Sequence, residues 1–195
     1  YDRKLVEYLR QQGEQVEIIS FPWRNYIQHL VDNFSPGVYR RLQQFQGDIL
    51  LQDELNHPSL FYLNRRLKAR ENLARNTLFI SIVHHLRASE RHPAWQLALY
   101  QRVERHYLSS VDGFIFNSQT TARAVSSLFG DKLPSIIAYP AADHLQAAIS
   151  EAEIFQRAHQ GGPLRLIFIG NLIPRKGLHN LLSAMHQLPP GTASL

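Results

Sequence analysis

The chain contains no cysteine. Disulfides and thiolate metal sites are therefore excluded, and a reducing compartment fits. No apolar run approaches the roughly 20 residues that a membrane-spanning helix needs. No signal peptide opens the sequence. Residue 1 falls directly in a helical pattern, so the native N-terminus is expected upstream. GxSxG is missing, which removes a serine nucleophile elbow. The Walker A loop and GxGxxG are missing too. Nor do two aspartates stand one residue apart, so there is no DxD to chelate a metal against a nucleotide diphosphate. Protein cations would have to neutralise any diphosphate bound here.

What is present describes an ordinary α/β protein. Its 195 residues, 44% hydrophobic and 19% charged, suffice for one good core. The net charge of +5 suggests an anionic partner: nucleic acid, anionic lipid or a phosphorylated metabolite. The densest basic group is Arg65-Arg66-Leu67-Lys68-Ala69-Arg70, which reads equally as a solvated helix face. No zinc-finger spacing or aromatic RNA-binding signature accompanies the charge, so no nucleic-acid partner is expected.

Helix and strand patterns alternate with a period of roughly 30 residues, as repeated βαβ units do. Residues 1–12 read as a helix stopped by Gly13, and residues 16–21 as a strand ended by Pro22. Residues 26–45 read as two helices divided at Pro36-Gly37. A short strand follows at 48–51 and a helix at 58–70. Residues 78–83 form an uncharged and therefore central strand. In the helix at 94–108, Trp95, Leu99, Val103 and Tyr107 recur every four residues. A strand at 113–116, a helix from Ser118 to Phe129 and a strand at 135–139 complete the first domain, residues 1–143. Residues 144–163, with a helical stretch and Gln160-Gly161-Gly162-Pro163, read as a linker. From 164 to 195 a buried strand (164–169), a basic turn and an amphipathic helix open a second domain. The expected fold is thus a Rossmann-like parallel sheet flanked by helices, its first strand missing, plus the first βα unit of another.

Ligands of such sheets sit at the carboxyl ends of the strands, and the candidate site residues all lie there. His84-His85 follow the central strand. Successive side chains point opposite ways, and His84 is the favoured functional one, a group able to donate, accept or titrate. Asp53, Glu54 and His57 follow the strand at 48–51. Metal ligation by these with His84 lacks a diagnostic spacing, so no metal is expected. A hydrogen-bonding wall for a hydroxyl-rich substrate and simple loop capping remain the alternatives. Asn117 and Ser118 follow the next strand, with Ser118 a helix N-cap whatever else it does. Asp143 is either structural or substrate-binding. Gly170, Asn171, Arg175 and Lys176 lie between a strand and a helix start, where two cations make a phosphate site. Residues 24–47 carry Tyr26, Ile27, Leu30, Val31 and Phe34 at helical spacing near Arg40-Arg41, a core face or a membrane-contacting one.

Four segments, in order, resemble one family. Residues 168–177, FIGNLIPRKG, resemble the FxGRLxxxKG that opens the C-terminal domain of family-four retaining glycosyltransferases of the GT-B fold. Ile82-Val83-His84-His85-Leu86 resembles their "VHDL" histidine motif. Phe116-Asn117-Ser118-Gln119-Thr120-Thr121 resembles their later serine-containing turn, and residues 137–143 occupy the place of "IPNGVD". The resemblance implies two Rossmann-like domains facing a cleft, with donor held C-terminally and acceptor mainly N-terminally. It implies a metal-independent, cofactor-free transfer of sugar from a nucleotide-diphosphate donor, with retained configuration. The acceptor would be a carbohydrate, a lipid-linked molecule or a small molecule. Lys176 would contact the diphosphate, and His84 would orient the sugar. Asn171 stands where the family carries a cation, one charge fewer. The family's ExxxxxxxE motif would lie beyond residue 195, so these residues alone are expected to be inactive. A cytoplasmic location is implied, with peripheral contact at the inner, anionic membrane face as an option. The alternative is a non-catalytic relative that binds a ligand or scaffolds a complex.

Overall fold

Four parallel strands, β1 (Ile49–Asp53), β2 (Leu78–Val83), β3 (Gly113–Phe116) and β4 (Ser135–Ile137), lie side by side in that order in the computed structural model. The structure describes residues 2–69, 77–130, 133–140 and 148–195. Strand β2 aligns Gln52 with Ser81 on one side and Ile82 with Ile115 on the other. An interior strand with both faces covered needs apolar side chains throughout. Residues 78–83 supply them at all positions but Ser81, whose buried hydroxyl accepts from Tyr107 at 2.8 Å, and Phe79 and Val83 are fully buried.

The helices α1 (Asp2–Gln11), α2 (Tyr26–Asp32), α3 (Pro36–Gln43), α4 (His57–Leu60), α5 (Leu63–Lys68), α6 (Ala94–Leu108) and α7 (Gln119–Phe129) flank this sheet. Their ends follow local chemistry. Asn25 and Gln28 form a capping box on α2, Ser35 caps α3 with Pro36 in its first turn, and Ser118 accepts the Thr121 N–H at 3.1 Å to cap α7. One core joins the layers: Leu63 and Leu67 from α5, Phe79 from β2, Tyr107 and Leu108 from α6, Phe116 from β3 and Val125 from α7.

Three expectations from the sequence are corrected. Residues 16–21 form no strand. Ile19 and Phe21 pack against the core, but the backbone is held by side chains: Arg10 donates to the Val16 carbonyl at 3.2 Å and Arg41 to that of Ile18 at 3.3 Å. The single helix expected at 58–70 is broken at Phe61–Tyr62. Buried Asn33 causes the break. Its Nδ2 donates to the Pro58 carbonyl at 2.6 Å and its Oδ1 accepts the Tyr62 N–H at 2.9 Å, replacing the helical bond between those two groups. On α6 the four-residue stripe does not stay on one face, because each step overshoots a turn by about 40°. Tyr100, Val103, Glu104, Tyr107 and Leu108 face inward, and Trp95 is 69% exposed.

The chain divides into two compact units, Tyr1–Ala141 and Ala142–Leu195. In the second, helix α8 (Glu151–His159) lies within the stretch read as a linker. Strand β5 (Leu164–Arg165) pairs in parallel with β6 (Ala193–Ser194) across helix α9 (Leu178–His186), a small βαβ unit. The buried six-residue strand expected at 164–169 is therefore corrected to two paired residues. Ile167 and Ile169 are more than four-fifths exposed, and no described side chain from 148 to 195 is buried.

Candidate functional site

The carboxyl ends of β1, β2 and β3 bring together three of the segments singled out in the sequence. His84 leaves β2 half-buried. Its carbonyl accepts the Thr121 hydroxyl at 3.2 Å, and that hydroxyl also lies 2.8 Å from Asn117 Oδ1. The turn after β3 is thus tied to the turn after β2. Ser118 serves as the cap of α7, as its position in the sequence suggests.

The segment after β1 is turned inward. Asp53 caps the next turn by accepting the Leu55 N–H at 2.9 Å. Glu54 and His57 are only 2% and 3% exposed, beneath the edge of the sheet. Glu54 Oε2 accepts the His85 N–H at 3.2 Å. His57 Nδ1 donates to the Glu54 carbonyl at 2.8 Å, which leaves Nε2 to accept from the Tyr26 hydroxyl, 3.5 Å away. Burial drives the His57 imidazole down from 6.5 to about 4, so it is neutral at neutral pH. No group of three or more acidic or histidine side chains among the described residues gathers into a metal site.

Glu104 and Arg87 join this site without any signal that the sequence offered, and Tyr26, read from the sequence only as part of an apolar stretch, joins it too. Glu104 reaches back from α6, 1% exposed, to take the Ala88 N–H at 3.1 Å. Arg87 lies over the rings of Tyr100 and Tyr26, 4.8 and 5.3 Å from their centroids. Burial raises Glu54 to about 8 and Glu104 to about 7, and it pushes the Tyr26 and Tyr107 phenols up as well.

These shifts predict a pH dependence. The folded chain keeps two protons that unfolded carboxyls release above about pH 4.5. Their contribution to stability is complete below that value and is lost as pH rises through 7 and 8. His57 acts oppositely, and only where pH falls from 6.5 towards 4. Above pH 6.5 the carboxyls act without it. Stability should fall by about 3 kcal/mol between pH 6.5 and 8.5, and Glu54→Gln with Glu104→Gln should flatten that decline. Urea unfolding across this range is the measurement; an unchanged slope in the double variant would contradict the assignment.

Other candidates are accounted for within the fold. Arg65 donates to Ser109, Arg66 stacks on Tyr39 and Lys68 pairs with Asp112 at 2.6 Å, so the described part of the basic cluster is engaged inside the chain. Ser59, His29 and Asp32 meet, but both partners approach His29 Nδ1, at 2.8 and 3.6 Å. A nucleophile relay needs the two ring nitrogens separately. Helix α2 splits its apolar residues: Tyr26 and Leu30 are half-buried, while Ile27 and Val31, like Phe34 just beyond the helix, are more than three-fifths exposed. A groove of about 220 Å³ lined by Phe21, Pro22, Val38 and Arg41 among others contains none of the expected site residues. Among the described residues no helix is long and apolar enough to cross a membrane.

In the second unit, Pro174–Lys176 form a single 3-10 turn closed by Gly177, whose φ of +73° suits glycine. Arg175 and Lys176 belong to that turn, directly before α9, and Lys176 is exposed. A Cβ at Gly170 would lie 3.8 Å from Lys176 Cδ, so the lysine stem runs beside Gly170. Asn171 is exposed and its carbonyl accepts the Ile173 N–H at 2.8 Å. Asp143 lies outside the described residues. No protein-family model, curated protein or solved structure matches the chain.

Proposed function

We propose that this chain is part of a glycosyltransferase that moves a sugar from a nucleotide-diphosphate donor to a hydroxyl acceptor with retention of configuration. The observation that carries this reading is positional. The segments holding His84 and Asn117-Ser118 follow β2 and β3, and residues 138–140 follow β4, so they leave the same edge of three consecutive strands. Open α/β sheets bind ligands at that edge.

The chemistry asks for charge stabilisation. As the bond between the anomeric carbon and the phosphate oxygen breaks, positive charge grows on the sugar and negative charge on the leaving diphosphate. The Lys176 ammonium would balance the latter electrostatically, with Arg175, Asn171 and Gly170 around it. The His84 imidazole would hold a sugar hydroxyl. The acceptor oxygen bonds to the anomeric carbon, and its proton passes to the leaving phosphate. No metal is required for this, since the sequence offers cations and no DxD. Exposed Ile27, Val31 and Phe34 are the residues that a peripheral contact with an anionic membrane would use.

Asn171, standing where the family carries a cation, favours a second reading: a relative that binds the nucleotide without transferring sugar. Thermal unfolding of the full-length protein with a panel of nucleoside diphosphates tests both. At 100 times the dissociation constant a true ligand adds about 2.7 kcal/mol, several degrees in Tm. Protection with sugar transfer supports the enzyme, protection without it supports the second reading, and no protection by any diphosphate rejects both.

A further inference from the structure

We propose that Glu54 and Glu104 are positioning residues: two buried carboxylates that fix the loop after β2 by its backbone amides and so set the placement of His84. The inference deepens the transferase reading and rests on it for the role of His84. The loop runs from His84 to Pro93, where α6 begins. It has no strand partner among the described residues, and its internal backbone bonds are those of a 3-10 turn, Arg87–Ser89. Its amides must still be satisfied. Glu54 takes that of His85 at 3.2 Å, while Glu104 takes that of Ala88 with both oxygens, at 3.1 and 3.4 Å. One carboxylate comes from the end of β1 and the other from the middle of α6, so the loop is gripped from two separate elements.

The choice of residue is informative. A buried carboxylate is costly to desolvate, and serine or asparagine could accept an amide at lower cost. Among the described residues neither Glu54 nor Glu104 forms an ion pair with lysine or arginine. What each gains is a bond to a loop amide that fixes direction as well as distance. The remaining contacts close the loop further. His92 Nε2 donates to the Arg87 carbonyl at 3.0 Å, and Thr121 holds the His84 carbonyl. His84 therefore sits on a backbone whose donors and acceptor are each tied to a different element.

The test uses Glu54→Gln and Glu104→Gln in the full-length protein, with the aspartate variants as shorter side chains that keep the carboxyl group. Glutamine retains one carbonyl acceptor, so folding should survive. Amide exchange across 84–88 should quicken about tenfold, the worth of one such bond, while Phe79 and Val83 stay protected. The His84 imidazole resonances should shift. Sugar transfer should lose about tenfold in kcat, with nucleoside-diphosphate protection and acceptor KM unchanged. Loop exchange and His84 resonances that match wild type in every variant would overturn the proposal. So would a loosened loop with kcat unaltered, or a loss of protection spread evenly through the core. Should the wild-type protein show neither nucleotide protection nor transfer, the transferase reading alone fails; exchange and imidazole resonances then decide the carboxylate grip.

Discussion

Phe79→Ala should cost about 3–5 kcal/mol of unfolding free energy, the range for removing a buried aromatic ring without refilling its space. Phe79 is 0% exposed at the second position of β2. Three layers depend on that position. Its N–H donates to Asp112 Oδ2 at 2.9 Å, Asp112 also pairs with Lys68, and the Lys68 ammonium lies 5.2 Å from the Phe79 ring centroid. The ring therefore fills the core and meets the Lys68 ammonium, while the backbone N–H, kept in the variant, holds Asp112. Relaxation is limited, because β1 and β3 hold β2 on both sides. In a unit of this size the loss corresponds to roughly 10 °C in Tm. Ile136→Ala on β4, 63% exposed, is the control and should stay within about 0.5 kcal/mol. Urea denaturation with an unchanged m-value is the readout. A loss below about 1 kcal/mol at Phe79 would mean that β2 is not interior.

How far the sequence could be read depended on whether the deciding partner was local. Residues 78–83, 94–108 and 113–116 announce their structure through composition and period, and the elements begin and end where those patterns do. Ser118 is legible because a cap acts within one turn. The break at Phe61–Tyr62 is not legible, since it is made by Asn33, 29 residues before Tyr62. Residues 16–21 show the opposite failure. Their apolar content fits a strand, but a strand exists only through a neighbour, and here arginine side chains take the carbonyls instead. Within the candidate site the strand-end histidines could be anticipated from topology. Glu104 could not, because an acid in a helix is a surface residue unless a loop elsewhere needs an acceptor. Glu54 and His57 were visible as residue types, yet their inward turn depends on the His85 amide and the Tyr26 hydroxyl, both distant in sequence.

On the proposed transferase reading, Lys176→Ala should reduce sugar transfer by the full-length protein about 100- to 1000-fold, or about 3–4 kcal/mol, the usual consequence of removing one group that meets charge developing in the transition state. The effect is electrostatic and local to a single turn. Gly177 ends the 3-10 turn with a left-handed backbone, and Lys176 directly precedes it, beside the start of α9. Asn171 contributes no charge, so a diphosphate bound here would have one cation fewer to share its negative charge than in the family resembled. The loss on removing Lys176 should be correspondingly severe. Lys176→Arg keeps the charge but changes its reach, and should recover a part of kcat. Because the lysine is exposed, neither substitution should move the unfolding midpoint beyond about 0.5 kcal/mol. That separates chemistry from folding. If kcat stays within about threefold of wild type, the basic turn does not face the leaving group. A loss confined to acceptor KM would place the lysine on the acceptor instead, and the transferase reading would need another source of positive charge.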